Sequence, residues 1–523
     1  MIIARLSMVL FISASWAAAG VGAGPPIHVG SRLELFVDDA LIERLNGAER
    51  RLHHPVPANV ALICDRPWEG NWCAGFTVLR DKGSYRMYYR GGRETRLTKN
   101  PPDKQVDARL IYTCYAESRD GITWTRPSLG LFEVAGTRKN NVVFAEPSAI
   151  NPLMPFVDTR PGTPPEQRYK AVATKFPMVS ADGLRWRKLN DSTVIEGYDS
   201  FNLAFWDAER KQYRSYSRHR RGSQEQMAKG AGVPKTSDQG IMENGRDNGR
   251  DIITSTSKDF VNWTKPEFLS YSPGRISELY ENNVLPYHRA PHLLRGFPVR
   301  YVDRGWTESA KALPQLQHRR NRAGAYEPRE GTALTDVMLM CSRDGTRFSM
   351  WPESFIRPGL RLQDNWFYGD NFLAWGLIET PSAIVGAPGE LSLFATEAFL
   401  QPGPVRLRRF TLRLDGFVSV RAPLAGGELL TRPVVFAGSK LVLNYSTSAA
   451  GSVRVELQDA QGLPLPGFAL GDCHDIYGDQ LERTVAWKGN PDLARFAGTP
   501  VRLRFELRDA DLYSIQFRRA ANN

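Results

Sequence analysis

One short phrase recurs along this chain and limits its possible folds more than any other feature. "SRDGITW" begins at Ser118, "SADGLRW" at Ser180, "SKDFVNW" at Ser257 and "SRDGTRF" at Ser342, so the starts lie 62, 77 and 85 residues apart. Intervals of that size indicate repeated supersecondary units with insertions between them. Within each phrase a polar turn, with Asp-Gly where φ must be positive, is followed by a Trp or Phe. Upstream lie alternating aromatic strands such as "GSYRMYYRG" (83–91), "QRYKAVATK" (167–175) and "KQYRSYSRH" (211–219). The aromatic after the turn then falls on a departing strand, where it plugs the gap between neighbouring sheets. Radial antiparallel sheets of four strands make a β-propeller.

A fifth unit without the phrase runs from 364 to 400, so the expectation is a five-bladed propeller over 24–403. The segment "RLELFVDDALIERL" (32–45) either completes the last blade or caps one end. From 404 the texture changes to short alternating strands, "SKLVLNYST", "GSVRVELQD" and "TPVRLRFELRDADLYSIQF", which predict a β-sandwich over 404–523. The fold class is therefore all-β, a five-bladed β-propeller followed by a C-terminal β-sandwich. A chain of 523 residues exceeds what one ordinary core holds.

The opening "MIIAR", the apolar run "LSMVLFISASWAAA" and the small residues up to Ala23 read as a secretory signal peptide over 1–23. The mature chain is then expected to be secreted or periplasmic, with no later membrane span. Export permits disulfides, and of the five cysteines Cys64 and Cys73 are close enough in sequence to bridge. No pair has the spacing of a structural zinc site. Net charge is +12, with basic residues gathered at 217–251 and 317–330. They are read as solvated loops or as a field that concentrates a polyanion. No nucleic-acid-binding motif accompanies them, so that partner is discounted.

"ELFVDDALIE", "PWEG", "SRDGITWTRPSLGLFE", "NNVV", "YDSFNLAFWD" and "LDGFVSVRAP" resemble a group of exported bacterial proteins described as glycosyl hydrolase family 32-like or 43-like. The likeness spans almost the whole mature chain. It implies a secreted glycoside hydrolase acting on a poly- or oligosaccharide, acidic or sulfated ones included. Such chemistry takes one carboxylic acid to protonate the leaving oxygen and a second carboxylate on the opposite face of the sugar.

Acids at the head of each unit's first strand are the candidates: Glu69, Asp158, Asp199, Glu278 or Glu281, and Asp370. Glu278 is assigned as general acid, Asp199 as base or nucleophile and Asp158 as the orienting group. In the family resemblance an Asp of the first unit is nucleophile or base and a Glu of the third is the acid. Here the first strand reads "CAGFTVLRD" and the third unit offers Asp199, so the roles have moved or catalysis is absent. Trp68, Tyr280, Trp366 and Tyr368 are expected to stack on sugar rings, Asn71, Asn202 and Asn282 to bind hydroxyls, and Arg300 to meet an anionic group.

No cofactor is called for, although an axial or sandwich-domain calcium ion stays open; the cluster "GDCHDIYGD" (471–479) reads first as a turn-rich loop. Two alternatives stand beside the hydrolase. A non-catalytic carbohydrate-binding propeller would keep the aromatics and asparagines without paired acids. A sialidase-like enzyme would need converging arginines and a tyrosine nucleophile. Oligomeric state is not legible.

Overall fold

The computed structural model describes residues 25–93, 112–145, 152–173, 176–191, 201–222, 249–275 and 277–519. The signal segment, Asp199 and most of the basic loop at 217–251 lie outside them. Within the described residues the chain is built almost wholly of strands, as the alternating patterns require.

Four sheets are regular four-stranded blades, and a seven-stranded sheet stands between the third and the last of them in chain order. The first blade runs from Ala74–Asp81 to Val142–Ala145, the second from Phe156–Val157 to Arg187–Lys188, the third from Leu203–Asp207 to Glu267–Phe268. The enlarged fourth sheet carries Ser270–Ser272 through Arg347–Ile356 and holds three short helices, Glu308–Lys311, Leu316–Ala325 and Arg329–Thr332, between two of its strands. The last blade joins Ile378–Thr380, Glu390–Glu397 and Arg406–Arg413 to Val56–Ile63 from the other end of the chain.

That closing strand is not the segment at 32–45. Ile27–Gly30, Leu33–Leu35, Ile42–Asn46 and Glu49–Leu52 instead join the C-terminal strands in a ten-stranded sheet. The sandwich thus takes strands from both chain ends, and Arg406–Arg413, beyond the expected boundary at 403/404, belongs to a blade. Strand pairing answers to which hydrogen-bonding edge is open, not to chain continuity. The two long strands Lys440–Gln458 and Pro500–Arg518 carry bulges as they run together, which bend such long ribbons. Leu33, Leu35, Val37 and Leu52 pack with Tyr287, Phe297, Phe355 and Phe417 to join the sandwich to the last two radial sheets.

All four phrases fold alike. The serine hydroxyl accepts the amide of the residue three further on, at 2.8 Å from Gly121, 2.9 Å from Gly183, 3.0 Å from Phe260 and 2.8 Å from Gly345. The aspartate Oδ1 accepts two successive amides at 2.8 Å in each copy. These local bonds satisfy the turn's backbone without any help from the ladder. Backbone φ is +73° at Gly121, +77° at Gly183, +88° at Gly345 and +70° at Phe260.

The aromatic wedges cross between blades as expected: Trp124 meets Phe394 edge-on at 6.0 Å, Trp186 meets Tyr88 at 6.4 Å, and Phe348 meets Tyr216 at 6.2 Å. In the third blade Phe260 does this work itself, 5.8 Å from Phe156 of the second. All five cysteines are free and buried, Cys64 and Cys73 included, which their spacing in the sequence would have allowed to bridge.

Candidate functional site

Side chains from four radial sheets converge at one place. In the third blade the strand Gln212–Arg221 puts Arg218 and Arg220 on one face by its two-residue period, and Arg250 on the next strand pairs directly opposite Arg220. The fourth sheet supplies Glu278–Glu281, whose register against Val299–Asp303 slips between Leu279 and Glu281. A slip of this kind re-aims side chains: Leu279 enters the core, while Glu278, Tyr280 and Glu281 all meet arginines. Arg329 arrives from the helical insertion, Tyr368 from the approach to the last blade, and Arg90 and Trp72 from the first.

The contacts are close. The Arg218 guanidinium lies 4.3 Å from the Tyr280 ring centroid, and Arg250 lies 5.3 Å from that ring and 4.5 Å from Tyr301. Arg329 is 5.7 Å from Tyr368, and Arg90 is 4.2 Å from Trp72 while donating to its carbonyl at 3.1 Å. Tyr280 stacks between Tyr301 and Phe372 at 6.0 and 5.3 Å, and its hydroxyl is 2.5 Å from that of Tyr368. Glu278 accepts the Arg250 guanidinium at 2.6 Å and the Arg250 amide at 3.1 Å.

Burial works against charge on Glu281 and pushes its carboxyl well above the usual range; Arg218 and Arg90 oppose this without prevailing. Its Oε2 accepts no hydrogen bond among the described residues. Burial also disfavours the Tyr280 phenolate, yet the charges of Arg218 and Arg250 outweigh it and hold the hydroxyl below the usual phenol range. Burial and the neighbouring Tyr280 push Tyr368 well above it, so of the two hydroxyls that of Tyr368 holds its proton the more tightly. Burial lowers Arg90 to about 10. Arg220 is lowered too, by burial and then by Arg250, with Arg218 and Arg329 adding to it. The array can therefore hold a proton donor, an acidified phenol and an excess of positive charge side by side.

Of the residues singled out from sequence, Glu278, Tyr280 and Tyr368 meet in this array, and half-buried Asn71 adjoins Trp72 in the chain. The other described acids, Glu69, Asp158 and Asp370, have internal partners. Glu69 is fully buried, accepting from the Tyr89 hydroxyl at 2.5 Å and Arg126 at 2.7 Å, and Trp68 beside it donates to Asn141 at 2.8 Å. Asp158 pairs with Lys170 and takes the Tyr213 hydroxyl at 2.5 Å, between the second and third blades. Asp370 ties a loop together through the amides of Phe367 and Phe399 and the side chain of Gln401.

Arg300, expected to meet an anionic ligand group, makes a two-point ion pair with Asp336 opposite it on the adjacent strand. Asn282 is buried and donates to the Phe201 carbonyl at 3.0 Å. Asn202 is buried, and Trp366 donates its indole N–H to the Gly359 carbonyl at 3.1 Å. In the 471–479 loop the carboxylates face bases: Asp472 pairs with Lys488, Asp475 with Arg454, and Asp479 with Arg413. Among the described residues no cluster of ligands fit for a metal ion occurs.

Arg220 and Arg250 are hidden in the sequence because the charge density of 217–251 reads as a loop. Its first residues continue a strand, and the alternation through "YRSYSRHRR", which places Arg214, Arg218 and Arg220 on one face, is the available signal. Glu281 had been noted beside Glu278, but the slip that turns it toward Arg218 leaves no trace in residue type.

No protein-family model matches the chain, and no curated protein does. Solved structures do match in part. The catalytic domain of a GH62 α-L-arabinofuranosidase from Coprinopsis cinerea aligns over 69% of this chain and 99% of its own at 8% identity with a TM-score of 0.38. A protein described under the GH130 family of mannoside phosphorylases aligns over 70% and 94% at 13% identity and 0.36. A GH32 β-fructofuranosidase of Bombyx mori aligns over 90% and 94% at 10% identity and 0.33. At such values the chemistry has to be read from the side chains of this protein.

Proposed function

We propose that the protein is an exported glycosidase acting on a poly- or oligosaccharide bound where the blades converge, with Glu281 as proton donor and Tyr280 as nucleophile. One observation carries this reading: a buried carboxyl with an unpaired oxygen stands next in the chain to a phenol whose hydroxyl lies against Tyr368 and whose ring lies under Arg218 and Arg250. Tyr280 enters as the phenolate that Arg218 and Arg250 stabilise, its proton lost to solvent beforehand; Glu281 gives its proton to the glycosidic oxygen as that bond to the anomeric carbon breaks, and the phenolate oxygen takes the carbon. Water then releases the sugar, returning its proton to Glu281. Glu278, the general acid expected from the sequence, is bound by Arg250, and in this reading Glu281 takes its role and Tyr280 that of the nucleophile. Trp72 and Asn71, half-buried beside Arg90, supply stacking surface and a polar contact.

The test is a screen of the full chain against neutral, uronate-containing and sulfated polysaccharides, with Glu281→Gln and Tyr280→Phe alongside. Loss of the acid is expected to lower kcat by about 100- to 10,000-fold. Unaltered turnover in both variants refutes these roles. Binding without turnover on every glycan favours a carbohydrate-binding propeller.

A further inference from the structure

We propose that Arg220, Arg250 and Arg329, arrayed around Tyr280, form a seat for a carboxylate or sulfate group carried by the saccharide, so that the substrate is an anionic glycan. This rests on the carbohydrate reading above and names its substrate class. The strand period and the Arg220–Arg250 register hold two of these guanidiniums on one face, and Arg329 reaches in from another sheet to within 5.7 Å of Tyr368.

Arg250 and Arg329 lie over tyrosine rings and act on the neighbouring Arg220 by repulsion, and the carboxylates at hand are already engaged, Glu327 by Arg329 at 2.6 Å among them. Glu278 is bound by Arg250, Glu330 lies 2.7 Å from Arg322 and 3.7 Å from Arg329, and Asp251 faces Arg221 and Arg275. Arg220 makes no ion pair among the described residues and is only half-buried, leaving its planar fork available to a ligand oxygen pair. The neighbouring Glu281 oxygen without a donor marks the same place as one awaiting a ligand hydroxyl or ether. The net charge of +12 draws polyanions toward it.

The experiment is calorimetric titration of the full chain with oligogalacturonate, a sulfated galactan oligomer and a neutral galactan oligomer of equal length, at low and at physiological salt. An anionic oligomer is expected to bind at least about ten-fold more tightly than the neutral one, less so as salt rises. Arg220→Gln is expected to weaken that binding about ten- to a hundred-fold and to leave the neutral oligomer unchanged, with Arg220→Lys between. Arg329→Gln gives a second, independent check, and near-ultraviolet circular dichroism confirms the fold of each variant. Equal binding of neutral and anionic oligomers, or no effect of either substitution, overturns the seat. Selective anionic binding without turnover of any glycan keeps the seat and overturns the glycosidase. Whichever of the two anionic arms binds identifies the group as carboxylate or sulfate.

Discussion

Replacing Gly121 by alanine tests whether the repeated turn is dictated by its own backbone or by the neighbouring blade. Gly121 has φ of +73°, and a Cβ there would lie 2.8 Å from Ile378 Cδ1, 3.0 Å from Thr380 Cγ2 and 3.4 Å from Tyr85 Cε1. Ile378 and Thr380 belong to the last blade and are themselves buried, so they have little room to retreat. Gly130, with φ of +68° and nothing within 4 Å of a built Cβ, is the matched control. Both substitutions incur the left-handed penalty of about 1–2 kcal/mol; only Gly121→Ala adds overpacking, about 1–3 kcal/mol. The expected totals are thus about 2–5 kcal/mol for Gly121→Ala against about 1–2 kcal/mol for Gly130→Ala. Equilibrium urea unfolding followed by tryptophan fluorescence measures both, Trp124 being close to the site. Equal costs would show that blade contact does not constrain the turn, and the account of why glycine recurs there would fail.

Glu281→Gln should stabilise the protein at neutral and alkaline pH while lowering kcat by about 100- to 10,000-fold. The raised carboxyl keeps its proton in the folded state, so the native chain binds more protons than the unfolded one above about pH 4.3. Stability therefore falls as pH rises from there to the folded value, by about 1.4 kcal/mol per unit, and the glutamine variant escapes that fall. Arg218 and Arg90 face the carboxyl from the third and first blades, and a pH-independent difference between wild type and variant would contradict the assignment. In denaturant without reductant, thiol titration should count five groups per chain; three would mean that one pair of cysteines is bridged.

Some of the site was legible and some was not, for identifiable reasons. Tyr280 and Tyr368 stood out as aromatics at strand heads, and both reach the array. Trp68 stood out equally, yet its indole is spent on Asn141, because an aromatic before a strand looks the same whether it faces a ligand or its own blade. Arg300 carried the right chemistry for an anion and found Asp336 across the ladder instead. The arginines that do converge sit in a stretch whose charge density argued for a loop.

The chain alone determined the repeated turn, the radial sheets it implies and the aromatic wedges between them, because an Asp accepting two adjacent amides and a residue at positive φ are matters of a few consecutive residues. Tertiary structure alone decided which end of the chain closes the last blade, that N-terminal strands complete the sandwich, and which charged side chains meet. Those outcomes depend on edges and faces brought together from residues hundreds of positions apart. A slip of one residue at Tyr280, set by the partner strand, is enough to turn Glu281 toward the arginines of another blade.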